Sequence, residues 1–195
     1  VEFHYEHPGM QHQAIDGRRL HVLPPTAEIP AAEKVKIKGG NLVFTSAGNN
    51  NDIMSNWVGD GANFDVFVVY YGDDDEKLRQ YQATFRWAIR HRGSKMQNFY
   101  SVIYKQRPDL IRAAEYFFIL DDDIVFQQGV KDINNMFEIS RQHNLLISMP
   151  SFTKGSVVKH KITANDPKTG LLLKYTNFVE INAPLYSREA LVKSL

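Results

Sequence analysis

The sequence predicts an α/β fold in which a largely parallel sheet lies between helices, and three observations carry that expectation. Short apolar runs of strand length alternate with segments whose apolar residues recur at helical spacing, the pattern of strand–helix–strand units. Three successive runs stop at small or acidic residues, Ser46-Ala47-Gly48, Gly72-Asp73 and Asp121-Asp122-Asp123, as strands do where they open onto a loop. The chain of 195 residues is 43% hydrophobic and 12% aromatic, enough to bury a core without cross-links.

Residues 1–40 differ in texture from the remainder. They hold four of the seven histidines (His4, His7, His12, His21) and four of the eight prolines, and they read as an irregular N-terminal arm. The histidine spacing matches no metal-ligand pattern, so solvated histidines are expected there. The domain proper is placed at 41–195. Leu42–Ser46 is the first strand, ending in Ala47-Gly48-Asn49-Asn50-Asn51, and Phe64–Tyr71 is the second, ended by Gly72 and three aspartates. Leu78, Tyr81, Phe85, Ala88 and Ile89 share one face of a helix predicted over 76–91, with acids at its positive end. Further helices are expected over 97–104 and after Pro108.

Tyr116–Leu120 is the third strand. Val130, Ile133, Met136 and Phe137 mark a helix over 130–143, and Leu145–Met149 a fourth strand stopped by Pro150. Residues 154–170 form a polar, basic, turn-rich excursion. Phe178–Ile181 reads as another strand, followed by Pro184 and a last helix. No internal repeat is visible.

Composition narrows the functional classes. Without cysteine there is no disulfide scaffold, zinc–thiolate site or thiol nucleophile. With 23 basic and 22 acidic residues and a net charge of +1, nothing favours sequence-independent binding of nucleic acid. No apolar run reaches 18 residues, so no transmembrane segment is expected.

The sharpest chemical feature is the triplet Asp121-Asp122-Asp123 between two apolar runs, a costly place for negative charge. If the strand continues through it, Asp121 and Asp123 share a face and can share a hard divalent cation, Mn²⁺ or Mg²⁺, which prefers oxygen ligands. Such an ion would hold a diphosphate and neutralise charge on a departing nucleotide. The alternative is an acidic turn capping the next helix. In the run Asp73–Glu76 the acids suit a helix N-terminus, but Asp73 follows the strand end directly and can accept from a ribose or base. Ser46 to Gly48 can bring backbone N–H groups near a nucleotide, and Arg92, Lys95 and Lys105 are candidates to meet phosphate.

With these elements laid out, the chain resembles nucleotide-sugar-dependent glycosyltransferases of the GT-A fold, whose apolar strand ending in Asp-x-Asp is matched by Asp121-Asp122-Asp123. More narrowly it resembles a glycosyltransferase-like family, domain of unknown function 707. Four pieces correspond in order: Tyr116–Ile124, Ile147-Ser-Met-Pro150, His160-Lys-Ile-Thr163 and Phe178–Arg188. The resemblance implies a GT-A-like, nucleotide-binding, Rossmann-like sheet, a metal set of Asp121, Asp123 and His160, and a base and ribose pocket from Ser46, Ala47 and Asp73. Asp121, Asp122 and Lys95 would join the nucleotide-sugar contacts. Asp123 would be the direct metal ligand, and Glu180 a general base deprotonating the acceptor hydroxyl. The implied donor is a UDP- or GDP-linked sugar and the implied acceptor a hydroxyl of a glycan, lipid or protein.

Two other classes fit parts of the pattern. Asp121-x-Asp123-Ile124-Val125 also suits a haloacid-dehalogenase-type phosphatase or phosphotransferase with Asp121 as nucleophile. That class places its strand near the start of the domain, and here about 80 residues of α/β pattern come first. A non-catalytic nucleotide-sugar-binding module is the third reading.

Overall fold

The computed structural model describes residues 35–195 except 52, 154, 157, 166, 167 and 169. The histidines and prolines of the N-terminal arm lie outside the described residues. Its last part does not: Val35 and Ile37 pack on the core and a turn at Lys38–Gly40 leads into the first strand.

Among the described residues six strands make one sheet: β1 (Asn41–Ala47), β2 (Asp65–Tyr70), β3 (Trp87–Arg90), β4 (Tyr116–Asp121), β5 (Ile147–Ser148) and β6 (Leu185–Ser187). Their order is β3-β2-β1-β4-β6-β5. The pairs β1–β2, β1–β4 and β2–β3 are parallel, and β6 runs antiparallel between β4 and β5. This is a mixed, mostly parallel α/β sheet flanked by helices, as the alternation predicts.

The helices are α1 (Met54–Trp57), α2 (Asp75–Thr84), α3 (Lys95–Asn98), α4 (Pro108–Ala113), α5 (Val130–Gln142) and α6 (Arg188–Ser194). A π-helical stretch, Phe99–Lys105, continues α3. Every residue of β1 and β2 is buried, which requires apolar side chains on both faces. Strand alternation divides them. Val43, Val68, Phe118 and Leu120 meet Trp57, Tyr81, Ile133 and Phe137 on one face. Leu42, Phe44, Phe67, Phe117 and Ile119 meet Phe99, Ile103, Leu110 and Leu191 on the other.

Several expected boundaries move. The helix over 76–91 stops at Thr84, where Phe85 turns extended, and Trp87–Arg90 becomes the edge strand β3 paired with β2. The Asp74 side chain caps α2 by accepting from the backbone N–H groups of Glu76 and Lys77. Phe178–Ile181 is not a strand; the antiparallel pairing with β4 falls instead on Leu185–Ser187, beyond Pro184. The strand expected over 145–149 shortens to Ile147–Ser148. Finally, β4 ends at Asp121, whose carbonyl accepts from Ile124 N–H at 3.3 Å. The aspartate triplet is therefore a turn, and the strand alternation expected across it fails.

Candidate functional site

From β1 the chain builds outward to β2 and β3, then returns to place β4 on the other side of β1. The order of strands reverses between β1 and β4, and in open α/β sheets the carboxyl ends at such a reversal are where ligands bind. Ser46 and Asp121 are register partners there. The Gly48 N–H donates to Asp122 Oδ2 at 2.8 Å, fastening the triplet to the end of β1. Tyr71 covers this junction, since a Cβ on Gly48 would lie 2.7 Å from its Oη. Burial pushes the Tyr71 hydroxyl pKa up, and the charges of Asp122, Asp123 and Asp121 push it further.

Beside this junction Gly48, Asn49, Asn50, Asn51, Tyr71 and Gly72 line a pocket of about 280 Å³. Asp73 borders it through Asn49, whose Nδ2 donates to Asp73 Oδ1 at 2.9 Å. That bond, with backbone donation and the more distant Arg90 and Arg92, holds the Asp73 carboxyl below its usual range. Ser46 and Ala47 lie outside the lining. Ala47 is fully buried in the core with its carbonyl accepting from Tyr71 N–H at 3.0 Å. The Ser46 hydroxyl accepts from Asn98 Nδ2 at 3.0 Å.

Lys95 and Asn98 are three apart at the start of α3, so one helical turn serves both strand ends. A reciprocal cap between Ser94 and Gln97 begins that turn. Asn98 is fully buried; besides Ser46 it bonds Gly93 O and, through Oδ1, His91 Nδ1 at 2.9 Å. The Lys95 side chain is 10% exposed and forms a 2.7 Å ion pair with Asp121 Oδ1. It also donates to the carbonyls of Ile181 at 2.5 Å, Asn182 at 3.1 Å and Ile119 at 3.4 Å. Burial lowers the Lys95 pKa, and Asp121, with Asp123 and Asp122 behind it, partly offsets that. Lys95 is thus committed to the strand end, whereas Arg92 and Lys105 are exposed.

Lys95 connects the triplet with the segment bearing Glu180. Asp121 N–H donates to Asn182 O at 2.8 Å, and Asn182 Nδ2 donates to Glu180 Oε2 at 3.3 Å. The Thr163 hydroxyl lies 2.8 Å from Glu180 Oε1 and 2.8 Å from His160 O. The His160 ring packs against Phe178, centroids 4.6 Å apart. Asn182 Oδ1 is buried with no hydrogen-bond partner among the described residues.

Residues 29–193 match the family model DUF707, described as a protein of unknown function. The chain belongs to the DUF707 family. No curated protein matches it. The matched region of this DUF707 chain contains all six strands of the sheet, so every site residue above lies within the family domain.

Sequence reasoning brings Asp121, Asp122, Lys95 and Glu180 to one neighbourhood of the DUF707 domain, but it misses Tyr71, Asn98 and Asn182. Tyr71 stands between a strand and Gly72, a position that could have marked it. Asn98 and Asn182 carry no signal, because their roles depend on which strand ends they meet. Among the described residues no three His, Asp or Glu side chains converge. The donor set suits a different kind of cation site. Asp123 is exposed and bonds no described residue, while Asp121 and Asp122 each have one oxygen engaged. One or two carboxylates, completed by substrate phosphate oxygens and water, is how Mg²⁺-like ions are usually held.

Proposed function

We propose that this DUF707 chain is a nucleotide-diphosphate-sugar-dependent glycosyltransferase domain acting on a hydroxyl acceptor. The observation that carries the reading is the Gly48–Asp122 hydrogen bond at the strand-order reversal, which sets an acidic turn beside a small amide- and tyrosine-lined pocket. The pocket offers a nucleoside a planar aromatic wall and the amide groups of Asn50 and Asn51, with Asp73, held by Asn49, as an acceptor for a ribose hydroxyl. Asp123, with the free oxygens of its neighbours, would hold Mn²⁺ or Mg²⁺. Such an ion, when bound, neutralises the charge a nucleoside diphosphate carries as it departs.

The chain's own residues supply the rest. Lys95 holds the Asp121 carboxylate and the 181–182 backbone in a common frame. Thr163 and Asn182 orient the Glu180 carboxylate, which accepts the acceptor hydroxyl's proton as the new glycosidic bond forms. The test is calorimetric titration of the protein with UDP and GDP, with Mn²⁺ and with chelator. Binding that requires metal and falls at least about tenfold, roughly 1.4 kcal/mol, in Asp123→Asn supports the reading. Absence of metal-dependent binding to either nucleotide overturns it. Hydrolysis of an aryl phosphate that Asp121→Asn abolishes would instead assign Asp121 the role of phosphoryl nucleophile.

A further inference from the structure

Charge is unevenly distributed along the chain. Residues 154–177 hold five lysines against one aspartate, while the remainder carries 18 basic and 21 acidic residues. Within that stretch Lys159, Lys161 and Lys174 are exposed and form no salt bridge with a described residue. Large apolar side chains are exposed beside them: Leu172 at 73%, Tyr175 at 77% and, just past the stretch, Ile181 at 65%.

The two parts of this set, around His160 and from Leu172 to Ile181, are joined by one ring contact. Lys159 and Lys161 flank His160, whose ring sits on Phe178. Tyr175 is three residues before Phe178 and Ile181 three after it, so each Cα lies within about 11 Å of that of Phe178. A protein that keeps single apolar residues on its surface is ordinary. A set of leucine, isoleucine and tyrosine interleaved with unpaired lysines is the composition that settles at an anionic lipid interface. Lysines near such a surface gain from its negative potential, while the apolar groups enter the headgroup boundary.

We propose that the face carrying Lys159, Lys161, Leu172, Lys174, Tyr175 and Ile181 docks on an anionic phospholipid surface. The inference rests on surface chemistry and is independent of the glycosyl-transfer reading. No helix among the described residues is long and apolar enough to cross a membrane, and the proposed contact is made by surface side chains alone.

The experiment is co-sedimentation of the full chain with phosphatidylcholine vesicles, with and without phosphatidylserine. Pelleting with the phosphatidylserine vesicles alone, weakening as salt is raised, is the expected result. Lys159→Gln/Lys161→Gln/Lys174→Gln should weaken partitioning roughly fivefold per lysine. Leu172→Ala/Tyr175→Ala should remove the binding that survives at high salt. All five positions are exposed, so circular dichroism should show unchanged folding. If a variant does unfold, the salt titration of the unaltered chain still reads the charge dependence. Pelleting equal on both vesicle types, no pelleting on either, or variants that bind like the parent overturns the proposal.

Discussion

Lys95 is the side chain on which the candidate site turns. Its ammonium meets one carboxylate and three carbonyls while only 10% of the side chain is exposed, so a partial gap at any of those partners is felt. Lys95→Met should lower stability by about 1–3 kcal/mol, below the usual loss for a fully buried pair because Asp121 is 41% exposed. Urea denaturation measures it, and Lys95→Arg should recover only part, since a planar fork does not suit four oxygens gathered around one nitrogen. Asp109 gives a pH signature. Hydrogen bonds from Arg107, at 3.0 Å and 2.7 Å, hold its pKa below the ordinary 3.8. Because the folded pKa lies below the unfolded one, its contribution is present above pH 3.8 and disappears as pH falls through the depressed value. Asp109→Asn should therefore cost about 1 kcal/mol at neutral pH and nothing at the acid end, a convergence that denaturation curves over pH would reveal. A constant difference at all pH values would contradict it.

At the scale of elements, the short helix α1 holds the acidic turn. Asn56 Nδ2 donates to Phe126 O at 2.9 Å, its Oδ1 accepts from Phe126 N–H at 2.8 Å, and Trp57 Nε1 donates to Ile124 O at 3.0 Å. Gly129 closes the following turn, its N–H donating to Phe126 O, at φ +53°, where a Cβ would lie 2.8 Å from Asn56 O. Asn56→Ala removes both bonds to Phe126 and should cost about 1–3 kcal/mol. On the proposed function it should also weaken metal-dependent nucleotide binding, although Asn56 contacts none of the aspartates. Unchanged affinity by calorimetry would separate the turn from the site. The element errors have the same origin. Ala88 and Ile89 continue the helical phase of Leu78, Tyr81 and Phe85, and only pairing with β2 makes them a strand. The alternation of Phe178 and Glu180 imitates a strand, but those residues acquire no ladder; Glu180 meets Thr163 and Asn182 instead. Pro184 obscured β6, whose three residues are too few to show a period.

For the whole molecule, the two ends of the sheet are chemically different. At the carboxyl ends lie the aspartate turn, the tyrosine-covered glycine and the Ile181–Asn182 backbone that Lys95 holds. At the other end Arg141 joins Gly39 O, Asn41 Oδ1 and Glu115 Oε2 at 3.0, 3.0 and 3.2 Å, tying the last turn of α5 to the starts of β1 and β4. On the proposed function a ligand at the carboxyl end binds only the folded sheet, so UDP or GDP with Mn²⁺ at a hundred times its dissociation constant should raise unfolding stability by about 2.7 kcal/mol. Chelator should abolish the increase. Stabilisation by nucleotide that persists in chelator would remove the cation from the site.

Periodicity and strand-end chemistry determined the α/β class, the buried strands β1, β2 and β4, and the acidic triplet at the end of β4, because each is a property of contiguous residues. The tertiary structure decided that the triplet is a turn, that Gly48 meets Asp122, that Lys95 occupies Asp121 rather than open solvent, and that β6 runs antiparallel. Those outcomes depend on which strands lie side by side, and sheet neighbours are chosen by burial over the entire core, which no local spacing records.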